Sequence, residues 1–292
     1  MNVILQLSKR HLLMFFRNKA DVFFSFLSVL IVLGLYVFFL QDMTVANVKS
    51  IIGQDVVGVD ALIHAWLFAG LSAISTMTLS IGLLSRMVSD KEKKVFNDFL
   101  VAPIKRHELF LSYILSTFIV VVCISLFTLV LGQIVIVISD GSWFSFIQWI
   151  RIVGVLLLVS ISSIMMMLFI ISFINTESVL SFLSTIVGTL IGFVIGAYIP
   201  IGVMPSAVAI FSNLLPIAHG AALLRQVLMQ PSIDVVFANA PVVALEQYNK
   251  FQGVELYLND TKITGNIMII YLIMSTIIFM ALNVWRFKKM KI

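Results

Sequence analysis

The sequence predicts an all-α integral membrane protein with six transmembrane helices. Of its 292 residues, 61% are hydrophobic and 11% are charged, with a mean hydropathy of +1.11. Soluble domains carry about 25% charged residues, so this composition excludes a soluble globular protein. The apolar runs are continuous over about 20 residues, as in spanning helices, and lack the ~10-residue alternation of transmembrane barrels. Basic residues cluster at both termini and in one central loop, which is a topology signal.

We treat 1–292 as a single transmembrane domain that begins with a surface helix. Residues 1–20 have the pattern of an amphipathic helix lying on the inner membrane surface. Its apolar face carries Ile4, Leu7, Met14 and Phe15. The basic residues Lys9, Arg10 and Arg17 lie off this face.

Six long apolar runs follow. The predicted spans are 22–40, 61–85, 109–138, 149–174, 179–199 and 266–285. The first is too long for the apolar region of a signal peptide and lacks a small-residue cleavage site. We therefore keep it in the mature protein.

The segment 200–264 remains apolar at first but is broken by prolines and glycines, and it suits either a seventh span or a re-entrant hairpin. The distribution of basic residues decides between them. With six spans, both basic termini and the central loop lie on the cytosolic side, whereas a seventh span would place the basic tail outside. We predict that 200–228 is re-entrant from the outer side and that 229–264 is an external loop.

The central loop, 86–108, is predicted to be cytosolic and to contain a short amphipathic helix. Ser89 and Glu92 have the spacing of a capping box, which predicts a helix start, and Pro103 ends the helix. An apolar stripe follows, formed by Val95, Phe96, Phe99 and Leu100. The opposite side carries Lys94, Asn97 and Asp98. Two hypotheses explain such a helix equally well: it lies on lipid headgroups, or a partner protein binds it.

The sequence contains no recognisable motif for catalysis, nucleotide binding or metal binding. The predicted span interiors contain almost no ionisable residues, which argues against an ion-coupled carrier. The chain lacks a phosphate-binding loop and an H-E-x-x-H pair, and the lone Cys123 excludes an intrachain disulfide. The scattered histidines are predicted to be surface or interfacial residues: His11, His64, His107 and His219. We predict no catalytic residue, cofactor or metal site here, so energy for transport must come from a partner.

Two stretches carry a resemblance to a known family. The central loop ends in Phe-Leu-Val-Ala-Pro-Ile-x-Arg-x-Glu-Leu at 99–109, and 215–226 holds Leu-Pro and Leu-Arg-Gln around His219. With the surface helix and six spans, this resembles the type 2 family of ABC transporter permeases, which are mostly exporters. Many members have Glu-x-Gly-Thr at the start of the cytosolic helix, whereas this chain lacks the glycine and has Lys94-Val95-Phe96.

The resemblance implies that the central loop is a coupling helix seated in a groove of a separate ATPase subunit. The implied anchors are the apolar residues Val95, Phe96, Phe99 and Leu100. The implied polar rim is Lys91, Lys93, Lys94 and Asp98. Glu177, in the turn 175–178, would be a second contact, and a plain helix cap explains that turn equally well. His219 and Arg225 are predicted to form an outer gate or its bracing.

The predicted function is the transmembrane permease subunit of an ATP-driven exporter in a bacterial cytoplasmic membrane. The expected substrate is hydrophobic or amphiphilic: a drug, an antimicrobial peptide or a lipid-like molecule. The expected partners are two ATPase subunits, which hold ATP and magnesium, and a second permease subunit, identical or closely related; no nucleic acid is expected. Both termini are predicted to be cytosolic. The alternatives are an ATP-independent carrier or channel, and a membrane sensor or immunity protein.

Overall fold

The structure is a computed structural model that describes residues 2–20, 22–23, 26, 34, 45–46, 48, 57–95, 104–258 and 261–289. The helices are α1 (Asn2–Arg17), α2 (Val59–Glu92), α3 (Arg106–Ile138), α4 (Phe146–Ile171), α5 (Glu177–Val194), α6 (Ser206–Leu214), α7 (Pro216–Val236), α8 (Val242–Gln252) and α9 (Gly265–Lys289). A short antiparallel hairpin pairs β1 (Leu256–Leu258) with β2 (Thr261–Ile263). The chain is thus an all-α membrane protein in its described part, with one small hairpin.

Helix α2 is the centre of the bundle. It packs against α3, α4, α5 and α7, and almost all of its residues from Val59 to Met77 are buried. Phe68 of α2 lies against Gly132 of α3, where a Cβ would approach the phenyl ring to 2.6 Å. A glycine at this position lets the two helix backbones come close, as is common between helices in membranes.

Small polar side chains link the helices inside the bundle. Thr76 and Ser163 share a 3.0 Å hydrogen bond between α2 and α4. Asn283 Nδ2 donates to the carbonyl of Met165 at 2.9 Å, joining α9 to α4. Such bonds are favourable between membrane helices because a polar group left unpaired in hydrocarbon is costly.

The predicted spans agree with the helices where the structure describes them. Five described helices are long and apolar enough to cross a membrane: α2, α3, α4, α5 and α9. They correspond to the second to sixth predicted spans. Almost all of the predicted first span, 22–40, lies outside the described residues. Several ends differ: α2 continues to Glu92, about two turns beyond the predicted end at 85, and α5 ends at Val194, before the predicted end at 199.

The segment before the last span contains a sharp bend. Helices α6 and α7 meet at 93°, and together they are long enough for a broken span or a re-entrant loop. Leu215 is extended, with ψ 127°, because it precedes Pro216, which occupies the first position of α7. The re-entrant assignment of 200–228 therefore stays a prediction, because the bend fits a broken span as well as a re-entrant loop.

The predicted external loop, 229–264, contains helices and a hairpin in the structure. Helix α7 continues through Pro231 to Val236, and α8 and the hairpin follow. Within this region Lys262 Nζ lies 2.6 Å from Glu255 Oε1, and Tyr257 donates to the same carboxylate at 2.9 Å. Burial, together with the Glu255 carboxylate, raises the pKa of Tyr257 to about 12. The phenol is therefore protonated and serves as a donor at neutral pH.

Gly132→Ala tests the close approach of α2 and α3. The new methyl group meets the Phe68 ring and Cβ at 2.6–2.9 Å, so we expect a loss of about 1–3 kcal/mol in stability. Gly154→Ala in α4 is the control, because a Cβ there meets no atom within 4 Å. Thermal melting of the two purified variants checks this. Equal melting temperatures would contradict the proposed packing.

Candidate functional site

One end of the bundle carries most of the basic residues, and we call it the basic end. It is formed by the last residues of α2 and α9, the first residues of α3 and α5, and the turn 172–176. Hydrogen bonds and the stacking of Phe110 on Phe287 place these segments next to one another. This end contains the part of the central loop that the structure describes.

The predicted capping box at Ser89 and Glu92 was wrong. Both residues lie within the last turn of α2, which runs on without a break. The Glu92 carboxylate instead accepts a 2.7 Å hydrogen bond from the backbone amide of Glu177, the first residue of α5. A carboxylate at this position satisfies an amide that has no partner within α5 and interacts favourably with the helix dipole.

Further side-chain bonds join the same two segments. Lys91 Nζ donates to Asn175 Oδ1 at 2.5 Å, and Lys93 Nζ lies 3.2 Å from Glu177 Oε1. We call Lys91, Glu92, Lys93, Asn175 and Glu177 the clasp. Because the Lys93–Glu177 pair is exposed, it adds little to stability, and its importance is positional. The clasp fixes the central loop against the turn between α4 and α5.

The structure thus brings together three of the residues predicted to contact an ATPase: Lys91, Lys93 and Glu177. Glu92 was predicted only as part of a capping box, and Asn175 only as the first residue of the turn 175–178, so their bonds within the clasp were not predicted. The Glu-x-Gly-Thr resemblance was a usable signal for Glu92, because Glu92 occupies the glutamate position of that pattern.

Lys94 shows how the chain leaves α2. It has φ 57°, in the left-handed region that favours glycine. This is the position at which the resembling permeases have the glycine of Glu-x-Gly-Thr. A lysine therefore holds a backbone conformation that glycine adopts most easily.

The apolar anchors of the predicted coupling helix are described only in part. Val95 is half-buried directly after the turn. Phe96, Asp98, Phe99 and Leu100 lie outside the described residues. The apolar stripe and its docking role therefore stay predictions.

The amino-terminal helix is attached to the bundle at the same end. Asp90 of α2 is buried, and it accepts a hydrogen bond from the Tyr113 hydroxyl of α3. Arg10 Nη1 of α1 lies 3.4 Å from the same carboxylate, and Ser8 donates to the carbonyl of Ser112. Helix α1 is therefore packed on α2 and α3, in addition to having the amphipathic pattern of a surface helix.

The prediction that the histidines are surface or interfacial residues was wrong for His11, His64 and His219, which are all buried in the protein. His11 stacks on Tyr113 with ring centroids 4.2 Å apart. Burial, together with the adjacent Arg10, lowers the pKa of His11 to about 4. The ring is therefore neutral at neutral pH and can pack like an aromatic side chain, which explains its place on the buried face of α1.

At the opposite end, Arg225 of α7 is 1% exposed and donates to three backbone carbonyls. Its Nη2 bonds to Gly196 at 2.5 Å and Ile195 at 3.3 Å, and its Nη1 bonds to Gly253 at 3.1 Å. These carbonyls follow the last turns of α5 and α8, where helix dipoles favour a positive charge. The guanidinium also lies 5.3 Å from the Trp66 ring of α2.

His219 supports the bend between α6 and α7. Its Nε2 lies 2.8 Å from the carbonyl of Asn213, which can only accept, so Nε2 carries the proton. The ring stacks on Tyr271 of α9 at 4.2 Å, and the Tyr271 hydroxyl donates to the carbonyl of Leu214. The contacts of His219 and Arg225 are those of braces, and their role as an outer gate stays a prediction.

Comparison with known families agrees with this architecture. A family model described as ABC-2 type transporter matches residues 2–229, which is well over half of the chain. The chain belongs to the ABC-2 type transporter family. No curated protein matches it at a significant level. The matched region of this permease includes both the clasp and Arg225.

Membership of this family identifies the permease as a membrane subunit. The family is the membrane component of an ABC transporter and implies association with an ATPase subunit. Together with the apolar helices, it makes the permease a multi-pass membrane protein.

Lys94→Gly should stabilise the permease by about 0.5–1 kcal/mol, because glycine adopts positive φ without a steric cost. Lys94→Ala is the matched control, since it removes the side chain but keeps the strain. Thermal melting of both variants checks this. A melting temperature for Lys94→Gly at or below that of Lys94→Ala would contradict the assigned conformation.

Arg225→Met should destabilise the permease by about 2–5 kcal/mol, because the buried carbonyls of Ile195, Gly196 and Gly253 lose their donor. Arg225→Lys should recover part of this, since one ammonium cannot reproduce the fork of a guanidinium. Arg151→Met, at an exposed position of α4, is the control. If the melting temperature of Arg225→Met equalled that of the wild-type permease, Arg225 would not act as a brace.

Proposed function

We propose that this permease is the membrane subunit of an ATP-driven exporter that moves a hydrophobic or amphiphilic substrate out across a bacterial cytoplasmic membrane. The observation that carries the proposal is the family match over 2–229. ATP and magnesium are held by a separate ATPase subunit in this proposal. The permease contributes the membrane path and converts ATPase movement into a change of its own conformation.

We place the basic end in the cytosol. Lys91, Lys93 and Lys94 lie there, as do the basic last turn of α9 and the start of α3. Cytosolic segments close to membrane spans carry an excess of lysine and arginine. With six spans, both termini of the permease then lie in the cytosol.

The ATPase contact is proposed at the central loop and the turn 175–178. The clasp supports this, because bonds from Lys91, Glu92 and Lys93 hold these two segments side by side. A partner that binds 95–100 therefore pushes directly on the start of α5. In this proposal, displacement of the loop is transmitted to a spanning helix through the three side-chain bonds of the clasp.

A second permease subunit is proposed to pack on α5. Helix α5 is the least buried of the candidate spans, and its large apolar side chains are exposed in a helical spacing. They are Val179, Phe182, Ile186, Leu190 and Phe193. The same helix presents Ser181, Thr185 and Gly188, small residues that allow close approach of two helices.

Co-purification tests the proposed docking. The wild-type permease, extracted from its native membrane in mild detergent, should bring down an ATPase, whereas the Phe96→Ala/Phe99→Ala variant should not. Truncating two apolar anchors removes the buried centre of the proposed contact. The readout is ATPase activity and identification of the bound subunit.

Trp143→Ala/Phe146→Ala is the matched control, because it removes two exposed aromatic side chains at the opposite end of the bundle. This variant should retain the ATPase. Retention by the Phe96/Phe99 variant would contradict the docking role of the stripe. Absence of an ATPase from folded wild-type protein would contradict the ATP-driven proposal itself and favour a carrier or sensor.

A further inference from the structure

A groove opens at the basic end between α3 and α9, with α4 as its floor. It has a volume of about 440 Å³. Its walls are apolar and include Phe110 and Leu111 of α3, and Met280 and Val284 of α9. The Asn283 bond to Met165 holds α9 against α4 and so sets the position of this wall.

The groove continues along α3, away from the basic end and toward the middle of the membrane. A second cavity of about 610 Å³ shares Leu111 and Ile114 with the first and extends between α3 and α4 to Phe118 and Ile161, with Ile4 of α1 also lining it. All eight side chains that line it are aliphatic or aromatic. From Arg106 to Phe118 the rise along α3 is about 18 Å, close to half of a ~30 Å hydrocarbon core. The groove therefore has the length and chemistry of one acyl chain in one leaflet.

The mouth of the groove is basic. Arg106 and His107 line it from the start of α3, and Lys288 lines it from the last turn of α9. The nearby carboxylate of Glu108 is turned back to the amide of Lys105, at 2.9 Å. Two positive charges at the mouth of an apolar channel are complementary to a phosphate above an acyl chain.

We propose that this groove is a binding site for an anionic phospholipid of the leaflet at the basic end. The phosphate lies between Arg106 and Lys288, and one acyl chain follows Leu111 and Ile114 toward Phe118. The charge of the mouth selects anionic over zwitterionic headgroups. The site lies at the start of α3, where the central loop ends, and holds a resident lipid, whatever substrate the permease moves.

The site orders the start of α3 against the end of α9. Phe110 and Phe287, one from each helix, stack with ring centroids 3.5 Å apart beside the groove. A lipid phosphate adds a second link between the same two helices through Arg106 and Lys288. Lipid occupancy should therefore raise the melting temperature of the wild-type permease.

Lipid retention measured by native mass spectrometry tests the proposal. The purified full-length permease is equilibrated with phosphatidylglycerol and phosphatidylethanolamine of identical acyl chains, in equal amounts. Wild type should retain phosphatidylglycerol preferentially. Arg106→Gln/Lys288→Gln should lose this preference by about fivefold for each basic side chain removed.

Lys9→Gln/Lys289→Gln is the matched control. It removes the same charge at the same end, from an exposed position of α1 and from a lysine whose ammonium lies over the Trp285 ring. This variant should keep the preference of wild type. Equal losses in the two double variants would reduce the effect to general surface charge and overturn the proposed site.

A second pair of variants tests the apolar channel and keeps the proposal testable if the charge variant is unstable. Leu111→Trp fills the groove and should reduce retention of phosphatidylglycerol, whereas Ile119→Trp alters an exposed position of α3 outside it. Equal retention of both lipids by wild type, or equal retention by these two variants, would overturn the proposal. The second result would be expected if another copy of the chain covered the groove.

Discussion

Unpaired backbone groups at helix ends are the constraint on which this structure depends. Each helix leaves four amides and four carbonyls without partners inside the helix, and hydrocarbon supplies none. Here, side chains from other helices supply them. Arg225 bonds to the carbonyls that follow α5 and α8, Tyr271 and His219 bond to those at the end of α6, and Glu92 bonds to the first amide of α5.

This arrangement makes each helix end a contact between elements, so side chains that satisfy the backbone also fix the geometry of the bundle. The bend between α6 and α7 is an example. Because Leu215 is extended, α6 and α7 cannot form one continuous helix. Their relative orientation therefore depends on His219 and Tyr271. Both side chains come from outside α6, which explains how a 93° bend is held at a defined angle.

The sequence predicted the second to sixth spans well, because continuous apolar runs directly record which segments can lie in hydrocarbon. It failed at Ser89 and Glu92, because a local capping pattern cannot show that the preceding helix continues, or that the glutamate binds an amide 85 positions away. It also failed at His11, since the burial that keeps this ring neutral comes from α3, a distant part of the chain. Both failures concern contacts that only the tertiary fold creates.

Helix α5 connects the two ends of the molecule. Its first amide is bound by Glu92 at the basic end, and the carbonyls after its last turn are bound by Arg225 at the other. Its 18 residues span about 27 Å, close to the thickness of the hydrocarbon core. Between its ends α5 packs against α2, with Leu180 and Ile191 buried in the core. In the proposed mechanism, a shift of the clasp would reach the Arg225 brace through α5, because both ends of this helix are bonded to other elements.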